Sequence, residues 1–318
     1  MGNIEKANSP VRERGFMVTP EPRPPICDYE GSDYRTRFWE GKGRDYEDRV
    51  ERIALRSLLP SQGQRLLEIG AGYGRLTNEY HRYQQVVLLD YSFSQLQHAQ
   101  SQLGRIPRFT YVAADAYRLP FQPGVFDGVT MIRVIHHMAN VPLVLAQIRR
   151  VMASGGTFIL EYANKRNLKA IIRHALRRQS WNPHALEPVE FVELNFDFHP
   201  EYMRRELISA RFMPLAQRPV SYFRLGLLKN MLPVSLLTAA DSALQSTGLL
   251  YSPSVFVQSR ADGAPAPMTS GDISTLFACP ECGSPFTQQE DTLVCTRDGL
   301  RYAIRDGIYD FKAPLDEP

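Results

Sequence analysis

Histidine disappears from this chain after His199, and cysteine is almost absent before position 279. Only four cysteines occur in 318 residues, and three of them cluster near the end. That usage points to a metal site rather than to a disulfide framework. No run of roughly 18 apolar residues exists, so no membrane-spanning helix is expected. The N-terminus lacks the charged-then-apolar pattern of a signal peptide, and Lys6 stands where a myristoylation signal places Ser or Thr. The protein is therefore read as cytoplasmic. Charge of one sign is also scarce. A net charge of +3 is too small to argue for nucleic acid. What remains is a 43% hydrophobic chain, enough for a sizeable core and long enough for two domains or one large domain with a small one.

The densest signal lies at 65–74, Arg-Leu-Leu-Glu-Ile-Gly-Ala-Gly-Tyr-Gly. A short apolar run ends in glycines at 70, 72 and 74, and a helix-like segment is expected from 75 to about 83. This is a strand, a tight turn and a helix, where glycine lets the backbone bend and a ligand come close. A dinucleotide fingerprint would need a sixth-position glycine, but Arg75 is there. Glu68 before the first glycine would repel a phosphate and attract a cation. The pattern suits a ligand with a positive end.

This pattern resembles motif I of the class I S-adenosylmethionine (SAM)-dependent methyltransferases, and later stations resemble the rest of that family in order. A second strand at 86–89 ends in Asp90, about 20 residues past the first glycine, where an acid can bind both ribose hydroxyls. Asp115 and Ala116 follow a third strand at 109–113 and resemble the pair that holds the adenine edge. A fourth strand opens at 126–129 and runs to Ile135, His136 and His137. A turn at 151–158 leads into a fifth. The resemblance covers about 47–164. It implies a doubly wound, mostly parallel, seven-stranded α/β sheet of Rossmann-like type. It also implies SAM as cofactor, held by Glu68, Gly70, Ala71, Gly72, Asp90, Tyr91, Asp115, Ala116 and Arg133. His136 and His137 fall where the family puts substrate-facing residues. One of them is a candidate base, and the competing reading is that the pair only shapes the pocket.

Around this unit the chain divides by composition. Residues 1–44 form a tail whose last part is rich in aromatics (Tyr29, Tyr34, Phe38, Trp39). It is read as a lid over the cofactor or as an arm packed on the domain. The domain proper is expected over 45–260, with helices near 45–59, 92–103, 141–152 and 199–210 and a final antiparallel strand pair at 211–222 and 254–259. An apolar insertion at about 223–250 suits core packing, a pocket cap, a membrane contact or a dimer face. The basic helix at 165–178 is either a solvated face or a patch for an anionic substrate or RNA. Residues 261–272 are a linker by composition.

Residues 273–318 form a small β-rich unit. Cys279-Pro-Glu-Cys282 is a knuckle of the kind that presents two thiolates to zinc. The second knuckle has Cys295 but Asp298 in place of its partner. Three possibilities stand: zinc on Cys279, Cys282, Cys295 and Asp298; a ribbon without metal; or a fourth ligand from the main domain. The segment is similar to the short zinc-ribbon proteins that activate tRNA, rRNA and release-factor methyltransferases. That resemblance implies a stabilising or substrate-presenting role. The expected activity is methyl transfer to oxygen or carbon, with nitrogen as a further choice, on a small-molecule acceptor. The alternatives are an RNA or protein acceptor aided by the ribbon, or a SAM-binding regulator that transfers nothing.

Overall fold

The computed structural model describes residues 24–28, 30–31, 44–224, 226–264 and 275–315. The aromatic residues of the expected lid, Tyr29, Tyr34, Phe38 and Trp39, lie outside the described residues, as does most of the expected linker.

Helix α1 (Asp45–Leu58) buries Tyr46, Val50, Ala54, Leu55 and Leu58, one stripe at helical spacing, against the sheet. Strand β1 (Gly63–Ile69) leads to the glycine turn. Strand β2 (Tyr83–Asp90), helix α2 (Phe93–Leu103), strand β3 (Phe109–Ala113), strand β4 (Phe126–Met131), helix α3 (Val141–Val151) and strand β5 (Met152–Ala163) complete the parallel unit. Helix α4 (Leu168–Ala175), a hairpin of β6 (Val189–Val192) and β7 (Asn195–Asp197), and helix α5 (Pro200–Ser209) follow. Strand β8 (Phe212–Val220), helices α6 (Gly226–Met231) and α7 (Val234–Leu244), and strand β9 (Ser254–Ala261) close this part of the chain. The C-terminal unit holds β10 (Phe286–Gln289), β11 (Thr292–Cys295), β12 (Arg301–Arg305) and β13 (Ile308–Asp310).

The strands β3-β2-β1-β4-β5-β9-β8 form the expected seven-stranded sheet, parallel except where β9 runs against β5 and β8. Both faces are covered. Leu67, Ile69, Val87 and Leu89 enter one core, while Leu66, Val86 and Leu88 enter the other. That is why these strands read as continuous apolar runs rather than as alternating ones. One edge of the 223–250 insertion packs on α1, with Leu237, Asp241 and Gln245 buried, while Met231, Leu236 and Leu249 stay exposed. Tyr46 of α1 donates to Asp241 of α7 at 2.5 Å, and Gln245 donates to the Val50 carbonyl at 3.0 Å.

Two local expectations fail for physical reasons. The helix expected at 75–83 is only a 3-10 turn, Thr77–Tyr80, with β2 already starting at Tyr83. The chain must return along a strand of roughly 23 Å, and eight helical residues would span only ~12 Å. The fourth strand stops at Met131, and Ile135–His137 is a 3-10 turn. Arg133 has φ 59°, and its N–H donates to the Glu161 carboxylate at 2.8 Å, which turns the chain out of the sheet.

The C-terminal unit joins the same sheet. β13 pairs in parallel with β3, Ile308 opposite Tyr111 and Asp310 opposite Ala113, so the sheet grows to eleven strands in the order β10-β11-β12-β13-β3 and onward. Phe277 stacks on Phe121 at 5.8 Å and meets Tyr309 and Phe311 at 4.5 and 5.2 Å. Backbone bonds from Gln122 to Leu276 and from Ala278 to Pro120 stitch the entry strand down. A unit of about 40 residues rarely holds itself together without a metal or a partner surface. Here the core of the larger domain provides such a surface.

Candidate active site

The C-terminal ends of β1, β2, β3 and β4 open into one cleft of about 1120 Å³, including its mouth. This is where an open parallel sheet binds ligands. Glu68, Gly70, Ala71, Gly72, Asp90, Tyr91, Asp115, Ala116, Arg133 and His137 all line it; His136 does not.

The glycines divide the work. A Cβ on Gly70 would come within 2.0 Å of Val134, so that position lets the turn pack against the chain after β4. A Cβ on Gly72 would meet nothing within 4 Å; its φ of +53° demands glycine for conformation and leaves the backbone bare toward the cleft. The Gly72 N–H donates to Asp90 at 2.8 Å, and the Ser92 N–H donates to the other carboxylate oxygen at 2.9 Å. Asp90 is thus fixed by the turn it faces. Burial pushes its carboxyl up to about 6 against these two donors.

Glu68 is buried at the end of β1 and accepts from the Thr77 hydroxyl at 2.6 Å. Burial raises its carboxyl to about 7 despite Thr77 and the Arg75 charge. An acid in that state becomes fully ionised when a cation arrives. Asp115 accepts from the Tyr117 N–H at 2.8 Å, and Arg118 lies 3.6 Å from its second oxygen. Arg118 also pairs with Glu281 inside the Cys279-to-Cys282 knuckle. The ribbon therefore touches the wall of the cleft through Glu281, and its unit does so again through Lys312, whose ammonium lies 5.5 Å from the centre of the Tyr91 ring.

Several groups that sequence reasoning missed build the rest. Glu51 of α1 is fully buried and binds both Arg75 at 2.8 Å and Arg133 at 2.9 Å. Burial alone would raise its carboxyl, but the two guanidiniums outweigh that and hold it down to about 2. Arg75, the residue that spoiled the dinucleotide fingerprint, thus locks the turn to α1. Cys27, which carried no sequence signal, lines the cleft beside Ile26. Glu30 follows and accepts from the N–H groups of Phe93 and Ser94 at 2.6 and 3.1 Å, capping α2.

The two histidines differ. His137 Nδ1 lies 2.8 Å from the Leu194 carbonyl, which fixes the proton there and makes Nε2 the basic nitrogen. His136 is held far below the usual imidazole range by burial, by His137 and by the Arg133 and Arg224 charges, and so stays neutral. His136 Nδ1 and the Arg224 Nε and Nη2 are buried without a hydrogen-bond partner.

In the ribbon, the ligand atoms of Cys279, Cys282, Cys295 and Asp298 all lie within 4.8 Å of one another. A tetrahedral zinc with ~2.3 Å Zn–S bonds separates its ligands by roughly 3.8 Å, so the set fits. The Cys282 and Cys295 sulfurs are 3.4 Å apart, and Cys279 Sγ is 3.6 Å from Asp298. The two knuckles are built alike, with Gly283 N–H on the Cys279 carbonyl and Gly299 N–H on that of Cys295. Asp298 occupies the place of a fourth thiolate, and among the described residues no ligand from the main domain joins the cluster.

Residues 67–160 match the family described as methyltransferase domain, and residues 275–307 match the Trm112p-like protein family. The chain carries a class I methyltransferase domain joined to a Trm112p-like domain. Among curated proteins it is similar to the O-methyltransferase cnsE of Penicillium expansum, 30% identical over 42% of this chain and 52% of that one. It is also similar to a demethylmenaquinone methyltransferase of Mycobacterium bovis, 33% identical over 44% of this chain and 64% of that one. The chain spans about half the length of the curated relatives it matches. Among solved structures, a chain of the complex between the Haloferax volcanii Trm112 methyltransferase activator and its methyltransferase shares the fold. Its TM-score is 0.50 at 15% identity, covering 70% of this chain and 95% of that one. A SAM-dependent methyltransferase from Mesorhizobium loti shares it equally, with TM-score 0.50, 18% identity and coverage of 66% and 97%. Among the described residues no helix is long and apolar enough to cross a membrane.

Proposed function

We propose that this protein is a SAM-dependent methyltransferase acting on oxygen or carbon, with nitrogen as the further choice, of a small-molecule acceptor. The observation that carries this is the bare backbone at Gly72 pinned to Asp90, with buried Glu68 on one side and Asp115 on the other. Asp90 is the proposed partner of ribose hydroxyls, Asp115 of an adenine amino group, and Glu68 of an ammonium. SAM supplies an activated methyl group on a sulfonium, so the chain's own task is to hold and align rather than to activate.

His137 is the proposed base for an acceptor that must lose a proton, with the Leu194 carbonyl setting its tautomer. The curated relatives named above support a small-molecule acceptor; the ribbon domain keeps an RNA or protein acceptor as the second reading.

Calorimetric titration with SAM and with NADH tests the assignment. Micromolar binding of SAM with none for NADH is expected. At neutral pH the titration should also release protons, because a cation beside Glu68 draws its carboxyl below its free value of about 7. NADH binding without SAM would make this a dinucleotide protein.

A further inference from the structure

Helix α4 leaves the C-terminal end of β5 and returns little to the core. Only Ala170 among its residues is buried. Leu168, Ile172 and Leu176 recur every four residues, share one face, and are 55%, 49% and 58% exposed. One position further along, Lys169 and Arg173 form a second exposed stripe on the helix, and Arg177 and Arg178, exposed just past its end where Arg177 turns at φ 54°, add two more cations. No acidic residue occurs from 165 to 180. Beside the helix, Tyr251 accepts the Leu168 N–H at its carbonyl and carries Arg166 over its ring at 5.4 Å.

We propose that α4 docks this protein on an anionic lipid bilayer, with Leu168, Ile172 and Leu176 entering the headgroup boundary and the cationic stripe meeting lipid phosphates. An exposed apolar stripe flanked by cations is the pattern of helices that lie in a membrane interface. A folded scaffold already holds this one in place. The Leu168 N–H bond to Tyr251 and the Asn167 side-chain cap on the Ala170 N–H fix it before any lipid is met. A second copy of the chain is the weaker occupant, since a two-fold contact would set the same cationic stripe against itself. RNA would use the cations but leave three large aliphatic side chains unexplained.

The placement also suits the cleft. The β6–β7 hairpin that presents the Leu194 carbonyl to His137 carries Phe191 and Val192, 57% and 60% exposed, and Lys165 at the start of this segment bonds the Glu187 carbonyl before it.

The inference goes beyond the methyltransferase assignment and does not need it, because vesicle binding is read without turnover. Full-length protein is sedimented with vesicles of phosphatidylcholine alone or with about one third phosphatidylglycerol. Binding to the anionic vesicles only, lost at high salt, is expected. Each cation near such a surface strengthens binding roughly five-fold, so Lys169→Glu with Arg173→Glu should weaken it by at least ~25-fold. Leu168→Ser with Ile172→Ser, both exposed, should weaken it while leaving the melting temperature unchanged. No binding by the wild type would overturn the proposal. So would equal binding by all variants, or capture of RNA in preference to vesicles through the same cations.

Discussion

Phe277 is the side chain on which the ribbon and the larger domain meet, and truncating it to Ala is the sharpest test of their union. The ring is 1% exposed and touches Phe121 on one side and Tyr309 and Phe311 on the other. Phe-to-Ala changes in such cores cost ~3–5 kcal/mol, the sum of lost transfer energy and the cavity left behind. At ~2 °C per kcal/mol for a chain of this size, the melting temperature should fall by roughly 6–10 °C. The more telling readout is where the loss appears. If β13 and β3 belong to one cooperative sheet, amide exchange should rise together in peptides from 109–113 and from 301–310, in a single unfolding transition. A loss below ~1 kcal/mol, or exchange that rises only within 275–315, would refute the reasoning. The ribbon would then be a separable module resting on the domain.

Three further outcomes follow from the site. Asp90→Ala should weaken SAM binding at least ten-fold, a loss of ~1.4 kcal/mol, and wild-type affinity should fall as pH drops through about 6, where the raised carboxyl takes up a proton and loses acceptor capacity; affinity flat from neutral to about pH 5 would remove its ribose role. His137→Asn should lower turnover by roughly 100-fold with SAM affinity unchanged, while His136→Asn, at a position outside the cleft lining, should leave turnover close to wild type, as read by steady-state kinetics; equal turnover in both variants would mean that no base is needed. Asp298→Cys should slow the removal of zinc by a chelator and Cys295→Ser should speed it, read by metal analysis and by melting temperature after chelation; indifference of both would leave the ribbon held by packing alone.

The parallel unit was legible because burial on both faces writes apolar runs into the sequence and because the turn after β1 can be made only by glycines. The same rules mislead where a single side chain decides the path. Nothing local announces that Glu161, 28 residues later, captures the Arg133 N–H and ends β4 early. Likewise, a glycine turn normally opens a helix, but here the short connection back to Tyr83 holds only a 3-10 turn. Pairings across long separations are invisible for the same reason. Glu51 reads as a solvated face of α1, since charge at helical spacing looks alike whether water or Arg75 and Arg133 receive it. The linker composition of 261–272 marks a boundary without saying where the ribbon docks; the edge of β3 and the ring of Phe121 are completed from beyond that linker. An exposed parallel edge strand invites pairing with another chain. In this protein β13 covers that edge, and the cleft wall formed by Asp115 gains Arg118 and Glu281 as its outer support. Whatever loosens β13 from β3 should therefore loosen the turn that follows β3, where Asp115 stands.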